Sequence, residues 1–267
     1  MTTKQTQNMF RKKRINSVIM FLVIGAIFLF FTELLSFDIF RALLGAPQGF
    51  IWMNNNFMPN EAVIYSTFIQ KILDALWRTG MLAISATTIS ASLAFIAGVL
   101  GSQKTGVHPA VTYLVRIIAM VFRNIPLIAW SLILIFSFRQ NEFTGFLALF
   151  FGTFGFLTRS FTEIIDEMDE GIIDALRASG ATYFHIVFQA VLPMVSSQVI
   201  SWLLFMIETN IRDATLVGIL TGTGVGFLFN FYFTTFRYQR AGFVLLFVIL
   251  SVVALEMISN KIRRMII

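Results

Sequence analysis

The sequence predicts an all-α integral membrane protein with six transmembrane helices, and three observations carry that prediction. Of 267 residues, 57% are apolar and only 13% charged, whereas soluble domains average roughly 45–50% apolar and about 25% charged. Phe alone occurs 31 times, more apolar surface than a soluble domain of this length can hide. The apolar residues also gather into charge-poor runs of about 20 residues, the length a bilayer-spanning helix requires. Disorder and nucleic-acid binding are poor readings of such a composition, and the net charge of +6 bears first on topology. There is no Cys, and His108 and His185 are the two His residues. Disulfides, thiolate zinc sites, cysteine nucleophiles and a His-rich metal site are therefore excluded.

The first apolar run, residues 15–32, follows Arg11, Lys12, Lys13 and Arg14. A basic start before an apolar run also suits a cleaved leader. However, Glu33, Asp38 and Arg41 follow and no A-x-A-like site stands out, so a retained anchor is the favoured reading. Residues 36–74 mix Asp38, Arg41, Asn54, Asn55, Asn56, Pro59 and Glu61, and read as an outside loop with one amphipathic helix. A second span is expected near 76–100, inside the charge-free run 79–103, and Gly101, Gly106 and Pro109 then mark a turn. The third span, near 111–137, is interrupted by Arg116, Arg123 and Pro126; a polar turn at 139–142 leads to the fourth, near 143–160. The fifth is expected near 195–212 and the last near 241–258, ahead of Lys261, Arg263 and Arg264. Residues 214–236 carry no charge, but Gly218, Gly222, Gly224 and Gly226 are expected to break a helix there.

Orientation follows from Lys and Arg, which favour the cytoplasmic side of short loops. The N-terminal tail has Lys4, Arg11, Lys12, Lys13 and Arg14, and the C-terminal tail Lys261, Arg263 and Arg264. Both tails belong inside, which requires an even number of spans. Six satisfy this, whereas counting 214–236 as a seventh would place the basic C-tail outside. That region is therefore expected to form broken half-helices that enter from outside without crossing, a candidate pathway element. The segment 161–194 then becomes the longest cytoplasmic loop.

That loop opens with six acids and no base between Glu163 and Asp174: Glu163, Asp166, Glu167, Asp169, Glu170 and Asp174. Ile164, Met168, Ile172 and Leu176 recur every four residues, which predicts one amphipathic helix with carboxylates on its other face. A solvated helix would account for that charge run by itself. The residues from Asp174 onward are more specific. Asp174-Ala175-Leu176 is followed after three residues by Gly180, and after eleven more by Leu192-Pro193. Small Ala175 and Gly180 let a short helix sit close against another surface, and Gly180 permits a sharp turn between two helices. Pro193 is expected to end the second segment or begin the next span.

This spacing resembles the EAA loop of ABC importer permeases: Glu-Ala-Ala, three residues, Gly, nine residues, Ile, one residue, Leu-Pro. Asp174, Leu176 and Ala190 stand where the pattern has Glu, Ala and Ile. The resemblance covers residues 65–267 and is nearest to permeases of phosphonate importers. It rests on Phe122-Arg123-Asn124-Ile125-Pro126 with Trp130, Gly155-Phe156-Leu157-Thr158-Arg159, Ala178-Ser179-Gly180-Ala181-Thr182 and Glu208-Thr209-Asn210-Ile211-Arg212-Asp213-Ala214-Thr215. The string from Gly218 to Gly226 resembles that family's GxVGAGGIG, with Leu220, Thr221 and Thr223 departing from it. Methionine-importer permeases share the loop and a Gly-rich element, but have five spans.

The resemblance implies a type I importer fold in a bacterial inner or plasma membrane. Residues 1–64 would be an added anchor helix and outside loop, and 65–267 the permease domain. It implies a second permease copy, a cytosolic ATPase dimer that binds ATP and Mg, an extracytoplasmic substrate-binding protein and surrounding lipid, with no nucleic-acid partner. Coupling to the ATPase would fall to Glu163, Glu167, Asp174, Ala175, Gly180, Ala181, Leu192 and Pro193. Gly218, Gly222, Gly224 and Gly226 would form a gate or a dock for the binding protein, against simple close helix packing as the plainer alternative.

Charge inside the apolar spans gives a further candidate set. An Arg or Asp at the centre of a bilayer helix costs roughly 2.5–3.5 kcal/mol on insertion scales, so such residues turn toward protein or water. Arg123, Asn124, Pro126, Glu208, Asn210 and Arg212 are the candidate translocation-pathway residues. The planar guanidinium fork suits two oxygens of a phosphorus oxyanion. Glu208 and Arg212 are also spaced as a helical i,i+4 ion pair, and structural pairing remains an equal reading. Arg159 reads as an interface residue that extends toward water.

The chain has neither a G-x-x-x-x-G-K-[ST] loop nor a G-x-G-x-x-G turn after a strand, so no ATP hydrolysis of its own is expected. A membrane enzyme using the 163–174 carboxylates as metal ligands is the alternative from another class. No His or Cys joins those carboxylates, and helical spacing splays several of them apart.

Overall fold

A computed structural model describes residues 3–58 and 65–266, and every regular element among them is helical. Pro59 and Glu61 of the expected outside loop lie beyond the described residues. The helices are α1 (Thr3–Leu34), α2 (Ile39–Phe57), α3 (Ser66–Gly101), α4 (Pro109–Asn124), α5 (Leu127–Phe138) and α6 (Glu142–Asp166). They continue with α7 (Glu170–Ala178), α8 (Tyr183–Ile186), α9 (Leu192–Thr221), α10 (Gly224–Thr234) and α11 (Tyr238–Ile266). The chain divides into two units, Met1–Asn56 and Phe57–Ile267. In the first, Lys12–Leu34 is apolar and long enough to cross a bilayer, and side chains such as Phe21 and Leu22 are exposed.

In the second unit α3 packs most extensively against α6, and α4, α5 and α9 also lie on α6. Small residues at this contact, Ala83, Ala86 and Ala148, are fully buried, as expected where helices in a bilayer approach closely enough for backbone packing. Toward one end of α3, Phe68 and Ile72 are buried with Val225, Tyr232 and Val244. Toward the other, Leu157, Phe161 and Ile165 of α6 pack with Ile173, Val191 and Val195.

Among the described residues, four helices have the length and hydropathy to cross a membrane, or five when α4 and α5 count as one bent span. The remaining expected crossing, 143–160, falls in α6. At about 1.5 Å per residue, its 25 residues reach across a bilayer, but its Gly, Thr and Arg159 make it less apolar than the other four.

Several expectations need correction. The second span begins at Ser66, because Phe68 and Ile72 bury on one face while Lys71, Asp74 and Arg78 lie exposed on another. The third is a bent pair rather than a straight helix: α4 and α5 meet at 93° across a short break. The fifth does not stop at 212, since α9 continues to Thr221. Within 214–236 the glycine-rich part breaks once, at Gly222 and Thr223, and α10 then ends at Thr234; Gly218 and Gly226 lie inside helices. The single helix expected over 163–176 is two, parted at 167–169. Pro193 stands in the first turn of α9, as a proline that begins a span does, although the helical run continues back through it to Tyr183. A π-turn at Val187–Val191 precedes it, widening the backbone where proline supplies no N–H.

Candidate functional site

The 161–194 segment is built around two short helices. Asp169 caps α7, its side chain accepting from the Gly171 N–H at 3.0 Å. At the other end Gly180 adopts φ +83°. The Ala181 N–H donates to Leu176 O and the Gly180 N–H to Arg177 O, each at 3.0 Å. This is a Schellman ending, which places glycine at the left-handed position. The Asp174-Ala175-Leu176 to Gly180 spacing is thus a helix plus its stop. Ile173 is buried and Leu176 half-buried against the core. Glu163, Glu167, Asp174, Ala175 and Gly180 are exposed, as are Leu192 and Pro193, while Ala181 is half-buried. Arg159 pairs with Glu163 at 2.6 Å rather than standing alone. His185 Nδ1 lies 2.6 Å from the Thr182 hydroxyl, a local bond. Phe184 of α8 is 69% exposed, a position that a four-residue helix is too short to mark by periodicity in the sequence.

A second group missed in the sequence ties this segment to the turn between α3 and α4. Asp166 Oδ1 accepts from Ser102 Oγ at 2.7 Å and from the Gln103 N–H at 2.8 Å. Its Oδ2 accepts from Arg116 Nη2 at 2.7 Å. Lys104 Nζ donates to the Met168 carbonyl, and Arg177 Nη2 donates to the Lys104 carbonyl at 2.9 Å. Nothing in local periodicity announces contacts across fifty or more residues. Among the described residues no three His, Asp or Glu side chains are grouped to hold a metal ion.

Arg123 and Asn124 end α4, and Pro126 caps α5 at the bend. Trp130 staples the elbow: its ring stacks on Phe122 at 5.4 Å and its Nε1–H donates to the Phe122 carbonyl at 3.2 Å. Asn124 Nδ2 donates back to Met120 O at 2.8 Å. Arg123 and Pro126 are exposed.

Glu208 is 12% exposed and pairs with both Arg212 at 3.2 Å and Arg263 of α11 at 3.5 Å. The i,i+4 pair is therefore formed, with an additional cation that sequence spacing did not reveal. Asn210 lies apart from it, buried, and Nδ2 donates to the hydroxyls of Thr87 and Thr153, each at 2.7 Å. It joins α9 to α3 and α6. Side-chain hydrogen bonds inside membranes average about 0.6 kcal/mol and reach about 1.7. Asn210→Leu is therefore expected to lower stability by about 1–2 kcal/mol, read from the unfolding midpoint in detergent. An unchanged midpoint would contradict a structural role.

The Gly-rich element is a helical hairpin. Gly222 caps α9 with φ +71°, and Gln140 Nε2 donates to Leu220 O at 3.0 Å. The Thr79 hydroxyl accepts the Val225 N–H at 2.9 Å, holding the start of α10 on α3. Gly218 packs on Gly226, and a Cβ built on Gly226 would lie 1.9 Å from Thr215 O.

Apolar helices of spanning length around a core rich in small residues, with a polar helix–turn–helix between two of them, define a multi-pass helical membrane protein. Residues 90–266 match the family described as binding-protein-dependent transport system inner membrane component. The chain belongs to that family. It is 28% identical over 186 residues to the phosphate-import permease protein PhnE of Mycolicibacterium smegmatis, covering 70% of this chain and 35% of that protein. It is 26% identical over 207 residues to the phosphite transport system permease protein PtxC of Stutzerimonas stutzeri, covering 78% and 74%. The chain thus spans about a third of the mycobacterial relative's length. Among solved structures, a chain of the MetNI methionine ABC transporter in an inward-facing conformation superposes with TM-score 0.67 at 19% identity, over 76% of this chain and all of that one. The chain is a component of an ABC importer and a multi-pass plasma-membrane protein. Its family is one of transport permeases, which replaces the metal-dependent enzyme reading.

Proposed function

We propose that the chain is the pore subunit of a phosphorus-oxyanion importer, working as a pair of copies with two cytosolic ATPase subunits and an external binding protein. The observation that carries this reading is the α7–Gly180–α8 segment. Its short amphipathic helix exposes Asp174 and Ala175 and is closed by a left-handed glycine, and α8 beyond it exposes Phe184. Such a surface suits insertion into a groove of another protein. On this reading Glu163, Glu167, Ala181, Leu192 and Pro193 complete the coupling region, and both termini are cytoplasmic. ATP and Mg bind the ATPase subunits, whose closure turns the pore outward. Residues 65–267 form the permease domain, and 1–64 add an anchor and an outside loop.

Cargo passes the elbow at Arg123, where an exposed guanidinium attracts anions. Arg212, 47% exposed, is the second pathway cation, although its pairing with Glu208 supports a structural share in that role. The Gly222 hairpin serves as gate or binding-protein dock. The relatives' names support phosphate or phosphite as cargo, and the PhnE-like motifs add alkylphosphonates. Cells deleted for this chain should fail to take up phosphite, phosphate or methylphosphonate at low concentration, and the restored chain should rescue one of them. Loss of methionine uptake alone would overturn the cargo and leave the coupling reading in place.

A further inference from the structure

The coupling helix α7 and the α3–α4 turn face each other across a polar cavity of about 390 Å³ lined by Gln103, Lys104, Asp166, Glu170, Asp174 and Arg177. Bonds cross it at three levels. At the end of α6, the Asp166 carboxylate takes Ser102 Oγ, the Gln103 N–H and Arg116 Nη2. At the start of α7, Lys104 donates to the Met168 carbonyl and lies 3.8 Å from Glu170 Oε1. At the end of α7, Arg177 reaches the Lys104 carbonyl. Arg116 also donates through Nε to Gly101 O at 2.8 Å, so one guanidinium joins α4, the end of α3 and Asp166. The Asp166 and Lys104 side chains are 26% and 18% exposed, and charge-assisted bonds of this kind, partly shielded from water, are the strong ones.

We infer that Asp166 is a positioning residue that holds the α3–α4 turn and Arg116 of α4 on the end of α6, where Lys104 of that turn engages α7 through Met168 O, Glu170 and Arg177, so that displacement of α7 by the ATPase is carried into α4 as well as into α6 and α9. This deepens the proposed function and rests on 161–194 being the ATPase-docking segment. The consequence is directional. The far end of α4 is the 93° elbow that holds Arg123 and Asn124, so the lock links the ATPase stroke to the pathway cation through one rigid helix. Without it, α7 would move while α4 stayed behind. Two arrangements of a packed element biased from a distant site are what coupling requires physically.

The test uses the complete importer in liposomes, measuring ATP hydrolysis with and without saturating phosphite, phosphate and methylphosphonate. Asp166→Asn keeps the side chain's size but loses the charge. The ratio of stimulated to basal hydrolysis is expected to fall about tenfold, within the range of coupling energies between sites. Asp166→Glu should restore part of it. A ratio unchanged in Asp166→Asn overturns the lock.

Should that variant fail to assemble, a covalent version decides. The chain has no Cys, so Gln103→Cys with Glu170→Cys can be bridged by a short bis-methanethiosulfonate and released by reductant. If turn and helix travel together, the bridged and reduced samples turn over at the same rate. Arrest on bridging, relieved by reduction, would overturn the inference. Gly180→Leu measured alongside separates the two levels. If it leaves coupling intact, the docking reading itself has failed. If it uncouples while the Asp166 results go against the lock, only the present inference has failed.

Discussion

Gly180→Leu is expected to lower ligand-stimulated ATP hydrolysis and uptake at least about tenfold, as loss of an inter-site coupling does, while the bundle stays folded. The effect originates in the backbone. Gly180 sits at φ +83°, and no other atom lies within 4 Å of a Cβ built there. A side chain therefore meets no clash inside the chain. Its cost is conformational, roughly 1–2 kcal/mol for a left-handed residue with a Cβ. The turn relieves that strain by rotating, which breaks the pair of 3.0 Å bonds from Gly180 and Ala181 and re-aims α8 relative to α7. A docking element is sensitive to that angle, whereas the α3–α6 core is not. Unfolding midpoints that match the parent, together with lost coupling, are the expected pattern; equal uptake in parent and variant would contradict it.

Gly226→Leu should act in the opposite manner, on stability first. Its Cβ would lie 1.9 Å from Thr215 O and 2.9 Å from Ile219 N. Both are backbone atoms of α9, so no rotamer change relieves the overlap and α10 must move away. Overpacking typically costs about 1–3 kcal/mol, and an overlap against backbone belongs at or above the upper end. For a domain of this size that corresponds to roughly 5–12 °C in the unfolding midpoint. Gly152→Leu is the matched control, since nothing lies within 4 Å of its Cβ; its midpoint should move little. Similar shifts in both variants would contradict the close α9–α10 packing.

The class of fold was legible in the composition because a bilayer imposes the same demand, a long charge-poor run, wherever a helix crosses. The limits of that rule appear in α3. Lys71, Asp74 and Arg78 ended the charge-free window, although Phe68, Ile72 and Thr79 on the buried face continue the helix outward. Helical periodicity rather than absence of charge marks the true start. Pro126 and Arg123 announced an interruption, but its 93° angle follows from Trp130 closing over Phe122, a contact no pattern specifies.

In the 161–194 segment, the Asp174 to Gly180 spacing was readable because helix and Schellman stop are both local. The break at 167–169 was not. It arises where Asp166 is drawn to Ser102 and Arg116, residues remote in sequence, while Asp169 caps the next helix. The glycines between 218 and 226 show the same division. Composition marked a break, but only packing distinguishes Gly222, which turns the chain, from Gly218 and Gly226, which let two helices touch.

The central claim is that ATP-driven import passes through the α7–Gly180–α8 segment of this chain. Its most direct test is the ATPase rate of the reconstituted importer with its binding protein, titrated with alkylphosphonates, phosphite, phosphate and methionine, in the parent and in Gly180→Leu. Stimulation of the parent by one phosphorus oxyanion, abolished in the variant, is the predicted result. Stimulation that survives Gly180→Leu unchanged, or an intact complex that none of the four ligand types stimulates, would contradict it.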